Sequence, residues 1–340
     1  MEISLPKAIT VSEAMGYGMT IFPLMSKFDP SSKMHFSSLY NYIKSYPSIY
    51  NNNLMAWQQI KDSNGNIVNV EDETSSATDG DMEISYGLIL AHKIWGENDK
   101  INYKAESVKI IKALMDSCVN KRDYILTLGD WVLALKENNF KYVTRSSDFI
   151  LYHIKEFIKL DTQHSTEWTL VAEKINTIIS EQMKMQSKKN GLMPDFFIRA
   201  NNKYIASKIK ILETIHDGDY YFNSCRIPWR YSMDIILNNQ PLTKQLKTLN
   251  RWIKKETSSN PYKIKSGYYV ANATPGKPFG SPNDLSFIAP FLVSSLIENG
   301  NDDWTISLWN ALINKPITKC TFYENTLKLM AMIAATGNWY

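Results

Sequence analysis

Apolar residues at helical spacing recur roughly every 25 to 35 residues along this 340-residue chain, and strand-type alternation is scarce. A helix with one apolar stripe must bury it against another element, so such a chain folds as antiparallel helix pairs. The pattern predicts a helix from Ser12 through Ile21, Leu24 and Met25, and another from Phe36 to Ile49. Ala105 to Asn120 carries Val108, Ile111, Met115 and Cys118 on one face. Ser147-Asp148-Phe149 opens a helix through Ile154, Phe157 and Ile158, and Ser165 to Met185 is a long one with Trp168, Ile175, Ile179 and Met183. Further helices are expected around 241–256, 284–298, 302–314 and 323–335. No internal repeat is visible, which argues against a solenoid scaffold. The chain reads as all-α, a single domain over residues 1–340.

One stretch combines this pattern with acids. Thr78-Asp79-Gly80-Asp81 leads into Ile84, Leu88, Ala91 and Trp95, one helical face, and Gly96 stands where a left-handed C-cap belongs. Thr78 or Asp79 is a candidate N-cap. Carboxylates in a first turn complement the helix dipole, which by itself needs no further function. Glu13 has the same plain explanation. Gly16 and Gly18, however, weaken the helix it opens by about 1 kcal/mol each against alanine. That cost implies a close approach to the backbone there.

Charge narrows the function. The net value is +4, and the nearest basic cluster is Lys184 to Lys189, read as a solvated helix end. Nucleic acid is therefore not an expected partner. No apolar run reaches the length of a membrane span. Three cysteines, Cys118, Cys225 and Cys320, argue against a disulfide framework, and none forms a Cys-x-x-Cys pair. No metal or cofactor is expected. The 9 Trp and 19 Tyr suit core packing or stacking on sugar rings.

Several motifs together resemble glycoside hydrolase family 8, over nearly the whole chain. They are Val11-Ser12-Glu13 with Gly16-Tyr17-Gly18-Met19, Ser76-Ala77-Thr78-Asp79-Gly80-Asp81 with Leu90-Ala91-His92-Lys93 and Trp95-Gly96, and Leu126-Thr127-Leu128-Gly129-Asp130-Trp131. Gly191-Leu192 with Asp195-Phe196, Tyr220-Tyr221 with Asn223-Ser224-Cys225-Arg226-Ile227-Pro228-Trp229-Arg230, and Thr336-Gly337-Asn338-Trp339-Tyr340 continue the likeness. The resemblance implies an (α/α)6 barrel. Family members carry a further helix before the Glu13 motif, so the barrel either lacks its first helix or begins before residue 1. It also implies secretion, with the signal segment not present in the numbered chain, and a monomer acting on polysaccharide.

Hydrolysing a glycosidic bond takes a proton donor and, with inversion, a base that activates water, the two carboxyl groups standing roughly 6.5–9.5 Å apart. The resemblance implies Glu13 as general acid. Asp79 or Asp81 is to hydrogen-bond the distorted sugar; the family signature points to the first, and both remain candidates. In one branch of the family an Asp in Asp-x-x-Arg is the base, but here that position is Asn223. In a second branch a Glu about ten residues earlier takes the role, and Glu213 stands there. Glu213 is thus the expected base, with Asn223 holding the water and Asp217 and Asp219 in reserve. Arg226 is expected to fix a carboxylate or a sugar hydroxyl. Trp57, Trp131 and Tyr221 are the expected stacking residues; Trp252 and Trp304 look like core, and His92 and His153 are assigned no catalysis. The expected activity is inverting endo-hydrolysis of a β-1,4-linked polysaccharide, chitosan or a β-glucan such as cellulose or lichenan. The rival reading is a non-catalytic carbohydrate-binding protein on the same fold.

Overall fold

Helix-forming segments dominate the computed structural model, which describes residues 8–70, 74–97, 100–241, 243–271, 274–298, 300 and 302–339. Its chain gathers into two units. The first runs to Tyr142 and resumes over His153–Val171; the second comprises Val143–Tyr152 and Ala172–Trp339. Pro6 and the terminal Tyr340 lie outside the described residues.

In the first unit a three-stranded antiparallel sheet, β1 (Ala8–Val11), β2 (Gln58–Lys61) and β3 (Ile67–Asn69), feeds directly into helix α1 (Ser12–Met25). The β2–β3 hairpin closes over Asn64-Gly65, the turn where glycine takes φ +84°. Helices α2 (Ser32–Ser45), α3 (Thr78–Trp95) and α4 (Tyr103–Ser117) follow, then a short hairpin of β4 (Val119–Asn120) and β5 (Ile125–Leu126). A single-turn helix, α5, covers Trp131–Ala134, and α6 covers Leu151–Leu160.

Helix α3 is buried on every side from Thr78 to Ala91, not along one stripe. Its partner α1 comes close because glycines on both helices leave room for the other helix. A Cβ on Gly16 would stand 2.5 Å from the Cβ of Glu83, and one on Gly87 would stand 2.6 Å from that of Met19. The close approach implied at Gly16 is the root of Glu83 and the main chain of α3, whereas Gly18 meets only the side-chain tip of Leu39.

The long helix α7 (Ser165–Met185) has the bounds read from the sequence. The second unit contains a three-stranded antiparallel sheet, β6 (Val143–Arg145), β7 (Phe196–Ala200) and β8 (Lys203–Ala206). Helices α8 (Ile227–Asn238), α9 (Lys244–Glu256), α10 (Leu285–Ser295), α11 (Asp302–Asn314) and α12 (Phe322–Ala335) complete it. Helix α9 buries Leu246, Leu249 and Ile253 while its lysines face water. Helix α8 was not foreseen. It is buried from Ile227 to Asp234, and Trp229 and Arg230 break the apolar stripe that marks a surface helix. Trp304 is buried as expected, whereas Trp252 is half-buried and meets Tyr268 edge-on at 5.0 Å.

Candidate active site

Two clusters of carboxylates emerge, one in each unit. In the first, the strand β1 turns into α1 at Val11, so Glu13 is the second helical residue. Ser12 is itself the first helical residue, and its N–H is satisfied by the Trp57 carbonyl at 2.7 Å. Glu13 is half-buried, and the hydroxyl of Tyr17, one turn on, donates to its Oε1 at 2.7 Å. The same α1–α3 crossing brings Ser12 against Gly80, where an added Cβ would meet the Ser12 hydroxyl at 2.2 Å. The start of α1 and the acid-bearing start of α3 are therefore packed together.

At the start of α3 neither expected residue is the cap. Ala77 occupies that position, and the Thr78 hydroxyl donates instead to the Thr127 carbonyl at 2.6 Å. Asp79 accepts from the N–H of Gly80 at 3.0 Å. Asp81 turns inward: its Oδ1 accepts from the Met55 N–H at 2.9 Å. Burial, with the negative charges of Asp130 and Asp79 nearby, pushes its carboxyl well above the usual carboxylate range. Asp130, from the Gly-Asp-Trp motif, braces the turn, accepting from the Ser48 hydroxyl at 2.5 Å and the Ser76 N–H at 2.8 Å. Trp57 and Trp131 are both half-buried, and Trp131 lies edge-on to Phe140 at 5.0 Å. His153 is buried 3.7 Å from Glu83 and stacked on Tyr86.

In the second unit Glu213 sits on the loop between β8 and α8, its side chain 24% exposed. Its Oε2 accepts from Nδ2 of Asn223 at 2.8 Å, and its Oε1 from Arg145 at 3.4 Å. The amide of Asn223 is oriented from its other end, where Arg226 donates to Oδ1 at 3.1 Å and to the Asn223 carbonyl at 3.3 Å. Arg226 is buried, and desolvation lowers its pKa to about 10. It positions Asn223 through these bonds.

Asp195 gathers the next turn of chain. It accepts from the N–H groups of Tyr221, Asn223 and Ser224 and from the Ser224 hydroxyl, at 2.6–3.0 Å. Burial, with Glu213 adding repulsion, pushes its carboxyl up to about 7 against those bonds. Asp217 and Asp219, the reserve bases, are both buried. Asp217 binds main-chain N–H groups of the Glu213 loop, and Asp219 binds those of Val270 and Ala271 and the ring of His216. These bonds give both a structural task. Tyr221 is half-buried among His216, Phe222 and Phe279, with ring centroids 4.7–5.4 Å away. Arg145 and Asp195 were missed as site residues. Asp195 lay in a motif counted toward the family likeness but given no role of its own, and nothing near Arg145 in sequence marks it.

These features define a mostly helical protein with a cluster of carboxyl groups in each unit. Comparison sharpens that description. The profile of the family described as glycosyl hydrolases family 8 matches residues 3–337. A β-glucanase of Niallia circulans is 39% identical over 332 residues, spanning 97% of this chain and 77% of that protein. An endoglucanase of Bacillus sp. strain KSM-330 is 30% identical over 336 residues, spanning 98% and 68%. The apo structure of a β-1,3-1,4-glucanase from Paenibacillus sp. X4 matches with a TM-score of 0.87 at 39% identity, covering 97% of this chain and 84% of that one. The chain belongs to glycoside hydrolase family 8, and its fold class is the all-α (α/α)6 type that the sequence resemblance implied.

Proposed function

We propose that this protein is an inverting endo-hydrolase of β-glucans, with Glu13 as general acid and Glu213 as general base. The observation that carries the reading is the grip of Asn223 and Arg145 on Glu213. Two donors orient a partly exposed carboxylate, as a base needs. An amide that already binds the base can also bind the water that the base deprotonates. Glu13 gives its proton to the leaving oxygen while water, losing a proton to Glu213, forms the new bond at the anomeric carbon. Asp79 hydrogen-bonds the distorted sugar; Asp81, turned inward, does not. Trp57, Trp131 and Tyr221 stack on sugar rings.

The names of the relatives favour β-glucan over chitosan as substrate. A net charge of +4 also gives no long-range attraction for a cationic polymer. Barley β-glucan, lichenan, carboxymethylcellulose and chitosan are assayed side by side for released reducing ends. The mixed-linkage glucans are expected to be cut fastest; no cleavage of any polymer sinks the reading. The first product formed from a β-linked substrate should be the α-anomer by NMR. Glu13→Gln and Glu213→Gln should each abolish turnover, with Glu13→Gln still binding oligosaccharide.

A further inference from the structure

The loop that carries Glu213 is not held by apolar burial. Ile209 and Ile215, which flank the acid, are 68% and 71% exposed, and Leu212 beside it is 42% exposed. A single buried carboxylate does the fastening. Oδ2 of Asp217 accepts from the N–H groups of Ile211, Leu212 and Glu213 at 2.7, 2.8 and 3.2 Å. Its Oδ1 accepts from the N–H of Thr214 at 2.7 Å. Four consecutive amides thus converge on one anion, a concavity of main-chain donors filled by the chain's own side chain. Such bonds to an ionised acceptor are roughly twice as strong as neutral ones.

Asp217 is itself anchored. Its carbonyl accepts from the N–H of Phe196, the first residue of β7, at 2.7 Å, and its N–H reaches the Thr214 carbonyl at 3.3 Å. A continuous path therefore runs from the sheet through Asp217 to the main chain of Glu213. We infer that Asp217 is a positioning residue for the base: it fixes the backbone from which Glu213 reaches the attacking water. This rests on Glu213 being the base.

The test compares Asp217→Ala and Asp217→Asn with Glu213→Ala on barley β-glucan, with and without azide. Azide attacks the anomeric carbon as an anion. The C–N bond forms as the glycosidic C–O bond breaks, Glu13 protonates the leaving oxygen, and no base is needed. A base displaced by about 1 Å loses about 100-fold in kcat, with KM within about twofold. Asp217→Ala should show that split, and azide should restore turnover in it as in Glu213→Ala. Asp217→Asn, whose single oxygen leaves at least one of the four amides unbonded, should be intermediate. It remains informative if the alanine variant does not fold. Full kcat in the folded Asp217 variants, with Glu213→Ala inactive, overturns the inference alone. So does a loss that azide fails to restore while Glu213→Ala is restored. An active Glu213→Ala overturns the base assignment and this inference with it.

Discussion

Replacing Gly16 with alanine probes the crossing that seats Glu13, the proposed general acid. The new Cβ would lie 2.5 Å from the Cβ of Glu83, 3.0 Å from the Gly80 carbonyl oxygen and 3.1 Å from the Ile84 nitrogen. Carbon atoms in contact sit about 3.5–4.0 Å apart, so α1 must back away from α3 by about 1 Å. The obstructing atoms are main chain and the root of a buried side chain, which cannot rotate aside. Overpacking of this kind costs about 1–3 kcal/mol. Alanine's better helix propensity offsets about 1 kcal/mol of that. The net loss of about 0–2 kcal/mol should lower Tm by up to about 3 °C. Glu13 lies three residues before Gly16, and Asp79 directly precedes Gly80, so the same displacement parts the acid from its neighbour. A shift of about 1 Å should cost about 100-fold in kcat. Gly18→Ala is the control on the same helix. Its Cβ meets only the tip of the half-buried Leu39 at 2.6 Å, a side chain able to rotate away. Thermal melts followed at 222 nm, with initial rates on barley β-glucan well below Tm, read both effects. Equal behaviour of the two variants, or a Gly16→Ala enzyme with unchanged Tm and kcat, would refute the reasoning.

Asp81→Asn should keep most of the activity, because burial disfavours charge on that carboxyl and the amide mimics its neutral form; Asp79→Asn should lose turnover. Comparable losses in the two variants would contradict the separate tasks assigned here. Asp195 predicts a pH dependence of stability. Its folded pKa of about 7 lies above the ordinary 3.8, so the stability it contributes is whole below about pH 4 and is lost as pH rises through about 7, by at most about 4 kcal/mol. Melting curves from pH 4 to 8 should fall more steeply for the wild type than for Asp195→Asn; parallel curves would dismiss the effect. Arg145→Ala frees one oxygen of Glu213 and should lower kcat by about tenfold or more with little change in KM, measured by steady-state kinetics.

Much of the frame was legible from residue spacing. The bounds of α7 and α11 and nearly all of α12 follow from their apolar periods, because each presents one stripe to its neighbours. Helix α8 escaped notice because burial on most sides erases that contrast. The hairpins escaped because strands of two to five residues are too short to show alternation. The candidate site divides in the same way. Motif likeness pointed to Glu13, Asp79, Glu213 and Asn223, since those residue types carry the chemistry. It could not separate Asp79 from Asp81, which stand two residues apart and differ only in what surrounds them.

The sequence by itself determined the helical class and the family and supplied candidate acids, because periodicity and motif likeness are local properties. The tertiary structure alone decided that Asp81 binds the Met55 main chain, that Arg226 grips Asn223, and that Asp217 ties down the loop of Glu213. Those outcomes depend on desolvation and on donors brought together from distant positions, such as Arg145 and Glu213, and no short stretch of sequence encodes them.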